Sequence, residues 1–164
     1  MSELRLWQQW VIEEVAKNIK IREDEENQSL SDYDLNKLSQ IKIKLPKKSG
    51  HTFLTAYLST IYDCVIIHRD VEHWEEIAAY RKGILEKIDT PTPKCTIISV
   101  YELFYATHFA TLVQKPLNLL STTETLKKRI VGQRAVIVDM ASSIPQLAED
   151  FVLSVATGPL IFLD

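Results

Sequence analysis

Glycine and cysteine are both scarce in this sequence. Of 164 residues, four are glycine and two are cysteine, Cys64 and Cys95. The two cysteines lie inside apolar runs and do not have the spacing of metal ligands, so we expect reduced core residues of a cytosolic protein. This composition excludes collagen-like chains and domains that disulfides hold together.

Long apolar runs and a large charge of one sign are also missing. No run reaches the ~20 residues that cross a bilayer, and the polar, then amphipathic N-terminus does not predict a signal peptide. The formal net charge is −3, which argues against a wholly basic nucleic-acid coat but leaves room for a local basic patch. We therefore expect a cytoplasmic protein without a membrane partner.

The residues that are present are those of a globular domain, with 46% hydrophobic and 25% charged. Residues 4–19 carry apolar side chains at helical spacing and predict an amphipathic helix. Within it, Trp7 and Trp10 share a face and either pack in the core or anchor a partner protein. Ser31 is a suitable N-cap for a second, short helix.

From residue 40 onward, short β-rich runs alternate with longer helical segments. The predicted strands are Ile41–Leu45, Cys64–His68, Cys95–Val100, Ala135–Asp139 and Leu160–Leu163. The predicted helices are His51–Tyr62, Val71–Lys87, Tyr101–Val113, Leu117–Ile130 and Ile144–Ala156. This alternation predicts a three-layer α/β/α fold with a mostly parallel five-stranded sheet in residues 40–164, preceded by a helical extension in residues 1–39.

The loop after the first predicted strand has the layout of a phosphate-binding loop. A strand, a tight turn with one glycine, a hydroxyl residue and a helix N-terminus follow one another, because backbone N–H groups and a cation must face phosphate oxygens. The candidate residues are Lys47, Lys48, Ser49, Gly50, His51 and Thr52. The fourth strand ends in Asp139, as a strand that holds Mg²⁺ does.

By the order and spacing of these features, residues 38–164 resemble the ATPase domain of phage large terminases and, more broadly, the first RecA-like domain of superfamily 1 and 2 helicases. In that family an acidic strand is followed by an apolar-Pro turn, here Ile144-Pro145, then by a helix and another strand. The resemblance implies a RecA-like sheet with strand order 5-1-4-3-2. It also implies ATP and Mg²⁺ as ligands, with Mg²⁺ held by Thr52 and Asp139.

Two residues depart from the family's pattern. His51 stands where the loop has lysine, and Met140 stands where a glutamate orients the attacking water. A neutral imidazole brings no permanent charge to the phosphates, and a thioether cannot act as a general base. No second RecA-like domain or nuclease domain follows in this sequence, so an autonomous DNA motor is not expected.

Two basic clusters are candidate contacts for nucleic-acid phosphates, one with Lys44 at the end of the first predicted strand and one with Lys127, Lys128 and Arg129 before the fourth. Arg69, after the second strand, is a separate candidate for contact with a nucleic-acid backbone. For the two clusters, a solvated rim is the simpler interpretation. A metal site built from His68, Asp70, Glu72 and His73 is not expected, because the two histidines are five residues apart and no second pair supports them.

The sequence therefore predicts a catalytically degenerate P-loop-like module that binds or assembles with a protein partner or a second copy of itself. The resemblance implies a role in DNA replication, recombination or packaging, and a viral origin with the host cytoplasm as its location. One alternative is an unorthodox ATPase in which Lys47 or Lys48 holds the phosphates, with Thr52 and Asp139 on Mg²⁺. Another is a nucleic-acid-binding protein that uses the basic rim.

Overall fold

The computed structural model describes residues 4–24, 30–46, 48–109 and 116–164, with side chains except at 108, 109 and 116–122. Its strands are β1 (Ile41–Ile43), β2 (Cys64–His68), β3 (Cys95–Ser99), β4 (Ala135–Asp139) and β5 (Leu160–Leu163). Its helices are α1 (Leu6–Glu23), α2 (Asp32–Ser39), α3 (His51–Ser59), α4 (Val71–Leu85), α5 (Val100–Phe104), α6 (Pro116–Ile130) and α7 (Gln146–Val155). A π-helical turn (Tyr105–Phe109) and a 3₁₀ turn (Ala141–Ser143) complete the described elements.

In the described part of the chain, five strands form one all-parallel sheet, which confirms the predicted α/β class. The strand limits match the predictions within two residues at each end. The segment Tyr101–Val113, predicted as one helix, instead begins as α5 and continues as the π-helical turn, and its remainder lies outside the described residues. Ser31 caps α2 as predicted, because its hydroxyl accepts the Asp34 N–H at 3.1 Å.

The strand order is β1-β5-β4-β2-β3, so the order 5-1-4-3-2 implied by the resemblance is wrong. Burial explains the correction. All residues of β5 and β2 are buried, which suits interior strands, whereas β1 carries the exposed Lys42 and β3 is mostly half-buried. Short strands with lysines are typical of sheet edges, where they discourage further pairing.

The sheet is covered on both faces, and each face has its own apolar core. On one face, Ile66, Ile137 and Ile161 pack with residues of α1, α3 and α4. On the other, Val65, Val136 and Phe162 pack with residues of α5, the π-helical turn, α6 and α7. Parallel strands buried on both faces read as continuous apolar runs, which is why Cys64–His68 and Ala135–Asp139 could be recognised as strands.

The two N-terminal helices take part in this packing. α1 contributes the fully buried Val11 and Val15 to the first core. α2 lies against α7, where the buried Asn36 donates from Nδ2 to the Leu153 and Ala156 carbonyls at 2.7 and 2.8 Å. Among the helices that the structure describes, none has the length and apolar character that a membrane crossing requires.

Candidate functional site

The chain changes direction within the sheet between β2 and β4. These strands are neighbours, yet the chain leaves β2 toward β3 on one side and leaves β4 toward β5 on the other. In open parallel sheets, ligands bind beyond the carboxyl ends of the strands at such a switch point. His68 ends β2 and Asp139 ends β4, so both side chains belong to this position.

Asp139 is paired with His73 at the switch point. Their side chains are 0% and 5% exposed, and His73 Nε2 lies 3.0 Å from Asp139 Oδ2. The other ring nitrogen of His73, Nδ1, accepts the Arg69 backbone N–H at 3.0 Å. Since Nδ1 is an acceptor, the ring proton is on Nε2 and is donated to the carboxylate. Asp139 Oδ1 accepts the Met140 N–H at 3.0 Å, so each carboxylate oxygen has a donor.

The start of α4 holds His73 in this place. Asp70 is the N-cap of α4, and its Oδ1 accepts the His73 backbone N–H at 2.8 Å. Its Oδ2 accepts from Arg69 Nε at 2.7 Å. The hydrogen bond from His73 N–H and then the one from Arg69 lower the pKa of Asp70. The Asp70 carboxylate therefore holds the β2–α4 turn through Arg69 on one side and the His73 backbone on the other. In this turn the His73 imidazole lies at the end of β4.

His68 lies beside this pair and is also buried. Its Nδ1 is 2.9 Å from the Asp70 carbonyl oxygen and therefore donates, which leaves Nε2 as the acceptor nitrogen. Its ring is 6.0 Å from that of Trp74. Burial lowers the pKa of His68, so this imidazole is held neutral. Ser99, its partner in register on β3, uses its hydroxyl to cap α5 by accepting the Glu102 N–H.

The predicted phosphate loop lies at the same carboxyl edge, after β1. Gly50 is the N-cap of α3 with φ 96°, a left-handed conformation that glycine adopts without strain. The carbonyls of this loop are bound by the start of α1, because Arg5, its N-cap, donates from Nη1 to Ser49 O at 2.8 Å and Gln8 Nε2 donates to Gly50 O at 3.0 Å. A Cβ on Gly50 would lie 2.9 Å from Gln8 Nε2, so α1 covers this turn closely.

His51 is buried in the first turn of α3. Its ring packs against the edge of Trp7 at a centroid distance of 6.3 Å, and its Nε2 has no hydrogen-bond partner among the described residues. Thr52 is half-buried and Lys48 is exposed with φ 63°. Lys47 lies outside the described residues.

The predicted loop and the predicted acid are at the same edge but are not adjacent. β5 lies between β1 and β4, so two strand spacings, about 10 Å, separate the ends of the two strands. Asp139 is hydrogen-bonded to His73 and to the Met140 N–H. A cavity of about 290 Å³ at the β1–β5 edge is lined by Lys42, whose ammonium binds Glu149 at 3.0 Å.

The basic candidates do not form one surface. Lys44 is exposed after β1, and Arg69 pairs with Asp70 at the carboxyl edge. Lys127 and Lys128 are exposed in the last turn of α6, which leads into the amino end of β4 at the opposite edge of the sheet. Arg129 from the same turn donates to the Ile97 carbonyl of β3 and lies 3.5 Å from Glu102, so its guanidinium is bound by protein groups beside the edge strand.

The His73–Asp139 pair was missed in the sequence because the contact depends on which strands are neighbours. The order 5-1-4-3-2 places another strand between the second and fourth strands, whereas the structure makes them adjacent. A histidine in the first turn after one buried strand and an acid at the end of another were the available signals. No group of three or more metal-ligating side chains is found among the residues described.

No protein-family model matches the chain, and no curated protein matches its sequence significantly. The fold places this chain in the class of three-layer α/β proteins with an all-parallel sheet. At the switch point of this sheet, His73 and Asp139 are hydrogen-bonded to each other, and their other hydrogen-bonding atoms bind the backbone N–H groups of Arg69 and Met140.

Proposed function

We propose that this chain is a non-hydrolytic binding or assembly module, a P-loop-like sheet whose hydrolytic machinery has decayed. The observation that carries the proposal is the state of Asp139. An acid that holds Mg²⁺ must offer the ion an accessible oxygen, but the Asp139 side chain is 0% exposed and both of its oxygens accept hydrogen bonds within the protein, from His73 and from Met140 N–H. The residue after it is a methionine, which cannot activate water.

The covered loop supports the same conclusion. Phosphate loops work because the backbone turns its N–H groups toward an open cradle. Here α1 lies over the turn through Arg5 and Gln8, and the His51 ring is buried against Trp7 rather than extended as a cation. These contacts hold the loop as part of the packing between α1 and α3.

Exposed apolar residues on α1 support a protein partner. Leu6 is 84% exposed and Trp10 is 49% exposed, and the two are four residues apart, so they lie on one face of the helix. Trp7 is half-buried and packs on His51, which assigns it to the core. Tryptophan is enriched at the centres of protein interfaces. The partner is another protein or a second copy of this chain, and we take the second copy as the one to test first. The resemblance to terminases supports a role in DNA replication, recombination or packaging.

Light scattering on the purified protein over a range of concentrations tests this assembly. We expect the mass to rise with concentration, and we expect Leu6→Gln and Trp10→Gln to abolish the rise. Leu38→Gln is the matched control, because Leu38 is 77% exposed on α2, which packs on the other side of the sheet. A monomer at every concentration, or equal loss in the control, would contradict the proposal.

The second candidate is an ATP-binding subunit, which the left-handed Gly50 at the start of α3 favours. It requires Lys47 or Lys48 to hold phosphates and Thr52 and Asp139 to hold Mg²⁺, which means that Asp139 must leave His73. Release of inorganic phosphate from ATP with Mg²⁺ that depends on Asp139 would support this candidate.

Nucleic-acid binding by the basic rim is the less favoured alternative, because Lys44 lies at the carboxyl edge of the sheet and Lys127 lies at the amino edge.

A further inference from the structure

The two cysteines lie side by side at the amino edge of the sheet, away from Asp139. Cys64 begins β2, Cys95 begins β3, and the two are partners in register, so their side chains project to the same face. Neighbouring strands are about 4.8 Å apart, which is within the range of roughly 4.4–6.8 Å between the Cα atoms of a disulfide. Both cysteines are free thiols.

The environments of the two thiols differ. Cys64 is fully buried, whereas Cys95 on the edge strand is half-buried. The adjacent Cys95 thiol, followed by burial, raises the pKa of Cys64. The adjacent Cys64 thiol lowers the pKa of Cys95, against the effect of its own burial, and the Arg81 guanidinium lowers it further. The more accessible sulfur is therefore the one that favours the thiolate.

Arg81 is held in place by other groups. Its Nε donates to Ser59 Oγ at 3.1 Å and its Nη2 donates to the Pro93 carbonyl at 2.9 Å. The same side chain lines a cavity of about 460 Å³ along α4, together with Trp74 and Lys82. A fixed cation beside a half-buried thiol is the setting in which cysteines react with peroxides, and a neighbouring second cysteine resolves the product.

We propose that Cys95 and Cys64 form a redox-active dithiol, in which Cys95 reacts with a hydroperoxide and Cys64 resolves it to a cross-strand disulfide. The Cys95 thiolate attacks one oxygen of the hydroperoxide, an S–O bond forms, the O–O bond breaks, and the leaving oxygen takes a proton. Cys64 sulfur then attacks Cys95 sulfur, an S–S bond forms, the S–O bond breaks, and hydroxide leaves with the Cys64 proton as water. Two thiols are oxidised, and hydrogen peroxide is reduced to two waters.

The disulfide would join the edge strand β3 covalently to β2 at the end of the sheet opposite the His73–Asp139 pair. The inference is independent of the proposed assembly function, because it uses neither α1 nor the carboxyl edge. It assigns a modification site to residues that the sequence alone indicates only as reduced core cysteines.

The test is treatment of the full chain with hydrogen peroxide, followed by intact-mass and peptide mass spectrometry under non-reducing conditions. We expect wild-type protein to lose two hydrogen atoms and to yield a peptide that links Cys64 to Cys95. In Cys64→Ser, oxidation should stop at a sulfenic acid on Cys95 that dimedone traps. In Cys95→Ser, the buried Cys64 should stay unmodified under the same conditions.

A further variant tests the role of the cation. Arg81→Gln should slow the reaction of Cys95 at neutral pH, whereas Arg81→Lys should retain most of the rate, and melting curves will show whether each variant is folded. The inference is overturned by equal reactivity of the two single-cysteine variants. It is also overturned by wild-type protein that ends with sulfinic acid on Cys95, or by disulfide-linked dimers in place of the internal crosslink.

Discussion

At the scale of single residues, the buried carboxylate of Asp139 is the feature that needs an explanation. Burial of an acid costs free energy unless hydrogen bonds compensate for the lost water. The compensation comes from His73 Nε2 and the Met140 N–H, and Arg69 N–H completes the chain at His73 Nδ1. In the sequence, Asp139 suggests a magnesium ligand. In the structure, its carboxylate joins the end of β4 to the first turn of α4 through His73.

Asp139→Asn should destabilise the protein by about 2–3 kcal/mol, because a buried partner is left unsatisfied. An amide has one oxygen, so its NH₂ group must face one of the two donors that the carboxylate accepts. Chemical denaturation of Asp139→Asn, His73→Ala and the double variant measures the coupling between the two residues. Additive losses would show that the two side chains do not interact in solution.

The pH dependence of stability should contain a contribution from His68. Its pKa is lowered in the folded protein by burial, whereas the unfolded chain binds a proton near pH ~6.5. The unfolded state therefore binds more protons as the pH falls below that value, so this part of the stability is present above it and is lost on acidification.

Denaturation curves at pH 7.5 and pH 5.5 check this expectation. His68→Asn keeps a donor for the Asp70 carbonyl but does not titrate, and it should lose less stability between the two pH values than wild type does. An equal loss in both proteins would mean that His68 is accessible to protons in the native state.

At the scale of elements, the turn between α7 and β5 depends on a close backbone approach. A Cβ on Gly158 would lie 2.4 Å from the Gln133 carbonyl oxygen and 2.7 Å from that of Arg134, and backbone atoms cannot move aside as a flexible side chain can. This turn starts the strand that the correct order places in the interior of the sheet. The contact explains why a chain with so few glycines has one here.

Gly158→Ala should therefore lower the melting temperature strongly, through displacement of β5 or of the residues that precede β4. Gly83→Ala is the matched control. Gly83 lies in α4 with nothing within 4 Å of an added Cβ, so the same change should stabilise the protein by about 0.5–1 kcal/mol through helix propensity. Thermal unfolding compares the two, and similar effects in both would refute the contact at Gly158.

At the scale of the whole molecule, the sequence predicted where the strands lie along the chain better than it predicted which strands are neighbours in the sheet. Runs such as Leu160–Leu163 and Ala135–Asp139 identify buried strands, because apolar residues on both faces are required between helical layers. Their order depends on contacts between distant segments, and the order borrowed from a family was wrong. The burial contrast between the short lysine-bearing β1 and the fully apolar β5 was the available evidence that β1 is an edge strand.

The same reasoning explains what was missed at the site. The glycine-containing turn before α3 and the acid at the end of β4 could be predicted, because they follow from local patterns. The contact between His73 and Asp139 joins segments that are distant in sequence. So does the cover that Arg5 and Gln8, at the start of α1, provide for the loop. No local periodicity contains that information.

The most direct test of the proposed module, whose phosphate loop is covered and whose Asp139 is paired with His73, is thermal unfolding with ATP and Mg²⁺ over a range of nucleotide concentrations. A ligand at a hundred times its Kd stabilises the native state by about 2.7 kcal/mol, which a melting curve detects readily. The account predicts the same Tm with and without nucleotide. A Tm that rises with ATP concentration in the wild-type protein, and does not rise in Asp139→Ala, would contradict it.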